Sequence, residues 1–263
     1  MADLRLGSLV VEDSGTGSAV MMVHGLGGSS NSFQTLMDAL AGYRVLRPDL
    51  PGAGRSAQRP GRPGLQGLAA AVYEALRAAG LERAHLVGHS MGTLICQHLA
   101  AEHPAAVLSL TLFGPILEPP AAARQALKER AATARAQGMA GIADAVASGS
   151  VAQASRAANP VAAAFVRESI MRQAPAGYAA HCEALSEAKP ADHRAIRCPT
   201  LLVAGEADPV APVAMARHLN ERIDGSRLEV IPGIAHWMMV EAPARSAELL
   251  RAHLEAAAIE ARR

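Results

Sequence analysis

Gly88-His89-Ser90-Met91-Gly92 sets a serine between two glycines at the end of an apolar run. Leu86 and Val87 read as the last buried residues of a parallel strand and Met91 to Ala101 as a helix, so Ser90 falls on the turn between them. Glycines on both sides let strand and helix approach closely, while the serine takes an uncommon backbone conformation and turns its hydroxyl out of the sheet. This is a nucleophile elbow, and the chemistry it suits is attack on a carbonyl carbon.

A serine hydroxyl attacks poorly at neutral pH unless a base lies within hydrogen-bond reach and a third group orients that base. Of the 10 histidines, His24, His85 and His89 precede the serine, His98 and His103 lie on or just after its helix, and His181 and His193 lie in or beside an inserted helical block. His218 and His253 fall within helices. His236, in the loop Pro232-Gly233-Ile234-Ala235-His236 after the last strand, is the one placed to swing back to Ser90. Asp208, in the turn Gly205-Glu206-Ala207-Asp208-Pro209 at the carboxyl end of a strand, is the favoured acid, with Glu206 and Glu118 as alternatives. It would hold His236 in the productive tautomer and stabilise the imidazolium.

Attack creates an oxyanion that needs preorganised N–H donors. The candidates are the backbone amides of Met91, first in its helix, and of Leu26, in the glycine loop His24-Gly25-Leu26-Gly27-Gly28. His24 reads as an anchor for that loop. Pro51-Gly52-Ala53-Gly54-Arg55-Ser56 lacks the lysine and spacing of a phosphate loop and reads as a turn bracing the site.

The elements that position these residues alternate. Leu4 to Val11 reads as an edge strand, Ala19 to Val23 as a strand buried on both faces, Phe33 to Ala41 as a helix capped by Ser30 or Ser32, and Tyr43 to Leu50 as a strand. Pro51 to Gly64 is turn-rich, Leu65 to Ala79 helical, and Ala84 to Val87 leads into the elbow. Val107 to Phe113 is the next strand. Residues 118 to 194 then carry only alanine-rich stretches broken at Gly138, Gly149, Pro160 and Pro175, as several short helices would. Strand Pro199 to Ala204, helix Val213 to Asn220, strand Arg227 to Ile231 and helix Pro243 to Ala258 complete the chain. The pattern predicts an α/β fold: a mostly parallel sheet flanked by helices, formed by residues 1–117 and 195–263, with 118–194 inserted as a helical cap.

Composition narrows the partners. With 25 Lys+Arg against 24 Asp+Glu, neither nucleic acid nor an anionic membrane is indicated. Three cysteines without C-x-x-C spacing argue against disulfides or a zinc site, and the start has no apolar leader, so a soluble cytoplasmic protein is expected. No metal and no cofactor are expected; the partner is a small-molecule ester or lactone.

His24-Gly25-x-Gly27-Gly28, Asp49-x-Pro51-Gly52-x-Gly54-x-Ser56, the elbow, the Gly205-to-Asp208 turn and His236 together resemble the α/β-hydrolase superfamily, in this order and over essentially the whole chain. The resemblance implies acyl transfer by Ser90, His236 and Asp208. A serine nucleophile argues against the epoxide-hydrolase and haloalkane-dehalogenase branches. Ala134-Arg135-x-x-Gly138-Met139-x-x-Ile142-Ala143-Asp144 and Tyr178-x-x-x-Cys182-Glu183-Ala184 resemble the cap of 3-oxoadipate enol-lactonases, which open a small carboxylate-bearing lactone ring. Typical members have Asn-Ser-Leu-Gly at His24 to Gly27 and a glycine at Thr93.

Leu26, Met91, Trp237 and Met238 adjoin catalytic positions and are candidates to line an acyl pocket, and Arg135 is the candidate partner for an anionic substrate. The function expected is ester or lactone hydrolysis through an acyl-enzyme. The alternatives are carbon–carbon bond hydrolysis of a ring-cleavage diketone by the same triad, and a ligand-binding protein on a hydrolase scaffold.

Overall fold

The computed structural model describes residues 2–58 and 64–260; part of the turn-rich stretch Pro51 to Gly64 therefore lies outside the described residues. Eight strands form one sheet in the order β1-β2-β4-β3-β5-β6-β7-β8. They are β1 Ala2–Leu6, β2 Leu9–Ser14, β3 Ser18–Val23, β4 Tyr43–Pro48, β5 Ala84–His89, β6 Val107–Phe113, β7 Thr200–Gly205 and β8 Arg227–Ile231. From β4 to β8 every neighbouring pair is parallel, whereas β1 and β2 are antiparallel. The single edge strand expected over Leu4 to Val11 is a hairpin instead. Gly7, with φ of 61°, turns the chain back in the middle of that alternation.

The helices cover both faces: α1 Gly64–Ala78, α2 Met91–Glu102, α8 Val213–Asn220, the short α9 Met238–Glu241 and α10 Pro243–Glu260. The segment expected as a helix over Phe33 to Ala41 is a 3-10 helix, Ser30–Leu40, and its cap is Ser29 rather than Ser30 or Ser32. The Ser29 side chain accepts from the helix backbone while Ser32 reaches back to the Ser29 amide, satisfying donors that the first turn leaves open. β3 and β5 are buried almost throughout, as a sheet covered on both faces requires.

Between β6 and β7 lie five helices: α3 Ala121–Gln137, α4 Ala140–Ser150, α5 Gln153–Ala158, α6 Pro160–Met171 and α7 Pro175–Ser186. Gly138 ends α3, and Pro160 and Pro175 open α6 and α7, where proline's missing N–H costs nothing. Gly149 breaks nothing and lies inside α4. These helices sit on the carboxyl ends of the strands through tight backbone contacts. A Cβ on Gly177 of α7 would overlap the Gly52 carbonyl oxygen, so helix and core loop meet backbone to backbone. His181 Nε2–H donates to the Pro51 carbonyl at 2.8 Å, and Ser169 Oγ of α6 donates to the Gly27 carbonyl at 2.8 Å.

Candidate active site

Ser90 has φ of 53° and ψ of −121° and is the one non-glycine residue with positive φ among the described residues. The strain is tolerated because the flanking glycines admit backbone where a side chain would stand. A Cβ on Gly92 would overlap the Val23 carbonyl oxygen, and one on Gly88 would lie 2.6 Å from the Gly92 oxygen. Ser90 N–H donates to the Phe113 carbonyl at 3.0 Å. Thr93, which stands where a glycine was expected from the resemblance, closes the turn: its Oγ1 donates to the Ser90 carbonyl at 2.6 Å and accepts from Ile116 N–H at 3.0 Å.

His236 Nδ1–H donates to Asp208 Oδ2 at 2.8 Å, and both side chains are buried. The other carboxylate oxygen accepts from the amides of Val210 and Ala211 at 2.8 and 2.9 Å. Burial pushes the Asp208 carboxyl up. The neighbouring His236 and the two amides outweigh it, leaving the carboxyl below its ordinary value and charged at neutral pH. The alternatives for the acid are engaged elsewhere: Glu206 accepts from Gly233 N–H, and Glu118 pairs with Arg124.

The glycine loop lies against the elbow, since a Cβ on Gly25 would be 2.7 Å from the Ser90 Cβ. His24 braces this loop with both ring nitrogens: Nδ1–H donates to the Gly25 carbonyl, and Nε2 accepts from Leu50 N–H at 3.0 Å. Pro51 to Ser56 braces it further, with Arg55 Nε on the Asp49 carboxylate at 2.8 Å and Asp49 accepting from Ser30 N–H at 2.7 Å.

Ser90, His236, Leu26 and Trp237 all line one half-enclosed, mainly apolar cavity of about 360 Å³. Its far walls come from α3 and α7, including Leu127, Arg130, Tyr178 and Leu185, and its rim from Pro209, Val210 and Met215. Met91 follows Ser90 as the first, fully buried residue of α2. Among the described residues no cluster of three or more His, Cys, Asp or Glu is arranged to hold a metal ion, and no helix is long and apolar enough to cross a membrane.

The chain matches the alpha/beta hydrolase fold family over residues 18–243. It belongs to that family. Among solved structures it resembles a thermophilic esterase from Thermogutta terrifontis, with a TM-score of 0.90 and 26% identity over 95% of this chain and 93% of the other. It also resembles the enol-lactonase from Burkholderia xenovorans LB400, with a TM-score of 0.90 and 24% identity over 97% and 100% of the two chains, a likeness of fold. The 2-hydroxy-6-oxo-6-phenylhexa-2,4-dienoate hydrolase of Burkholderia cepacia is 38% identical over 112 residues, 40% of this chain and 39% of that enzyme. The matched stretches span well under half the length of such curated relatives.

Three pocket candidates of this α/β-hydrolase chain are placed elsewhere, the first being Met91, whose side chain is fully buried in the core and does not line the cavity. Met238 packs in the core on the opposite face of the sheet, with Met22, Phe33 and Phe113, because it begins α9 and turns away from Trp237. Arg135 lies outside the cavity lining, its guanidinium doubly bonded to Glu183 at 2.6 and 3.0 Å. The arginine that does line the cavity is Arg130. It is half-buried and is the only Arg, Lys, Asp or Glu lining the cavity among the described residues. Its signal lay in spacing from Ala123, Ala126 and Leu127, the inward stripe of α3.

His89 is a further cavity residue that its place in the elbow motif concealed. Its Nε2–H donates to the His236 carbonyl at 2.9 Å, and its ring lies 4.9 Å from that of His236 and 5.0 Å from that of Trp237. Burial, reinforced by the neighbouring His236, lowers its pKa to about 3, so it stays neutral beside His236. Cys182 is inert at neutral pH, its thiol pushed up to about 12 by burial.

Proposed function

We propose that this protein is a serine hydrolase of small carboxylic esters or lactones that works through an acyl-enzyme. The observation that carries the reading is the buried His236–Asp208 hydrogen bond opening, together with the strained Ser90, into one cavity. Ser90 Oγ attacks the carbonyl carbon while His236 Nε2 takes its proton, and Asp208 stabilises the imidazolium. The neutral His89 adds no charge against it. The amides of Leu26 and Met91 receive the oxyanion. Collapse of the tetrahedral intermediate breaks the ester C–O bond, and His236 gives its proton to the departing oxygen. A water, deprotonated by His236, then hydrolyses the acyl-enzyme.

The cavity's size suits a small substrate, and its apolar lining suits a short hydrocarbon acyl or alkyl group. The helices α3 to α7 act as a cap, of which α3, α4 and α7 supply a large part of that lining. Likeness to the Thermogutta terrifontis esterase supports ester chemistry. The test is steady-state hydrolysis of short acyl esters and five- and six-membered lactones by wild type and Ser90→Ala. Turnover lost by several orders of magnitude in the variant upholds the mechanism; undiminished turnover overturns it. A second reading, hydrolysis of a carbon–carbon bond in a ring-cleavage diketone, draws on the Burkholderia cepacia relative. Inertness to every ester with Ser90-dependent cleavage of such diketones would establish it instead.

A further inference from the structure

The backbone around His236 is held in an unusual way. Glu241, on the first turn beyond the base, accepts from Trp237 N–H with Oε1 at 3.0 Å and from Ala235 N–H with Oε2 at 3.2 Å. One carboxylate thus grips the amides on both sides of the histidine. The amide between them, that of His236, donates to the Ser150 carbonyl at 3.1 Å, and the His236 carbonyl accepts from His89. Glu241 Oε2 accepts a further bond, from Ala152 N–H at 2.9 Å. Ser150 is the last residue of α4 and Ala152 immediately precedes α5, so both lie at the α4–α5 turn. Ser150 Oγ also accepts from the Trp237 indole N–H at 3.0 Å.

Bonds from amides to a carboxylate are stronger than neutral ones, and a partly buried carboxylate whose oxygens take three amides is an expensive arrangement to keep for packing alone. Here all three amides belong either to the residues flanking the base or to the cap turn beside it. We propose that Glu241 is a positioning residue: it fixes His236 for proton transfer and makes that placement depend on the seating of the α4–α5 turn of the cap. The proposal rests on the hydrolase reading of the site. It implies that a displaced cap leaves the nucleophile intact and disables the base.

The test uses the full chain and the ester panel, with turnover expressed per serine titrated to completion by a fluorophosphonate, so that misfolded molecules are not counted. Glu241→Gln keeps the shape but sets an NH2 group against an amide N–H. Its kcat per titrated serine should fall about 10- to 100-fold, as for a catalytic group misplaced by a fraction of an ångström, with KM within about threefold of wild type. Ala152→Pro removes the cap's donor at a φ of −57°, which proline accepts, after Val151 in the extended region. It should lower kcat per serine about threefold or more in the wild type and add nothing in Glu241→Gln, the signature of one shared interaction. Additive effects would overturn the link to the cap. His236→Ala is measured alongside. If His236→Ala is inactive while Glu241→Gln turns over like the wild type, the role of Glu241 is overturned and the hydrolase reading stands. If His236→Ala keeps full turnover, both fall.

Discussion

The two halves of the site are held by opposite means. Around Ser90 the fixing is steric: Gly25, Gly88 and Gly92 let backbones touch, and a Cβ at any of them would collide. Around His236 the fixing is polar: Asp208, Glu241, Ser150 and His89 take its ring, its neighbours' amides, its own amide and its carbonyl. In the proposed mechanism Ser90 needs a strained conformation that must not relax, and close packing withholds the room to relax. The same mechanism asks of His236 a ring placed to within a fraction of an ångström that still accepts and gives a proton, and directional bonds supply that.

The contrast is sharpest at Gly92. Gly92→Ala sets a Cβ against the Val23 carbonyl, a backbone atom with nowhere to go, so soluble folded protein should be lost, as read by expression yield and thermal melting. No single polar substitution around His236 should do as much. At the nucleophile itself, activity and stability part company. Ser90→Ala and Ser90→Gly should each lose about 10⁴-fold in turnover or more. Only the glycine relieves the positive φ, and its unfolding free energy should exceed that of Ser90→Ala by about 1 kcal/mol in denaturant titration. Equal stability of the two would show that the turn stores no strain.

The buried histidines outside the site give a pH signature. Burial lowers His85, His181 and His253 to about 4 from 6.5. Between pH 6.5 and about 4 the unfolded chain binds protons that the native state refuses, so stability falls as pH falls, by up to about 1.4 kcal/mol per pH unit for each group. Denaturant midpoints across that window should drop steeply and level off below it. A flat profile would place these rings in contact with water. The smallest effect is expected at Arg135→Ala. The Arg135 guanidinium is exposed and its partner Glu183 half-buried, so stability should change by about 1 kcal/mol or less, and turnover of carboxylate-bearing esters should be untouched; Arg130→Met should slow those esters selectively.

Most of the sheet was legible because its strands are continuous apolar runs ended by glycine or proline, and the strand ends carrying Ser90, Asp208 and His236 stand out in chain order. What was hidden follows from geometry that adjacency does not record. Trp237 and Met238 are neighbours in sequence, but α9 starts between them and sends their side chains to opposite sides. Arg130 was masked because the inward stripe of α3 that it extends is mostly alanine, and alanines recur on the outer face of the helix as well. Glu241 carries no signal in the sequence, since its three partners are amides and amides leave no mark there.

The Gly52–Gly177 contact has a consequence for divergence. Gly177 is followed by Tyr178, a wall of the cavity, so the depth at which α7 seats sets how far that wall stands from Ser90. A side chain at Gly177 must part helix and loop and widen the chamber, and one at Gly52 presses on the Gly177 Cα at 3.2 Å. A homologue can therefore trade its choice of substrate size at a pair of residues that never meets the substrate, and cavity volume among relatives should track that pair before it tracks the lining.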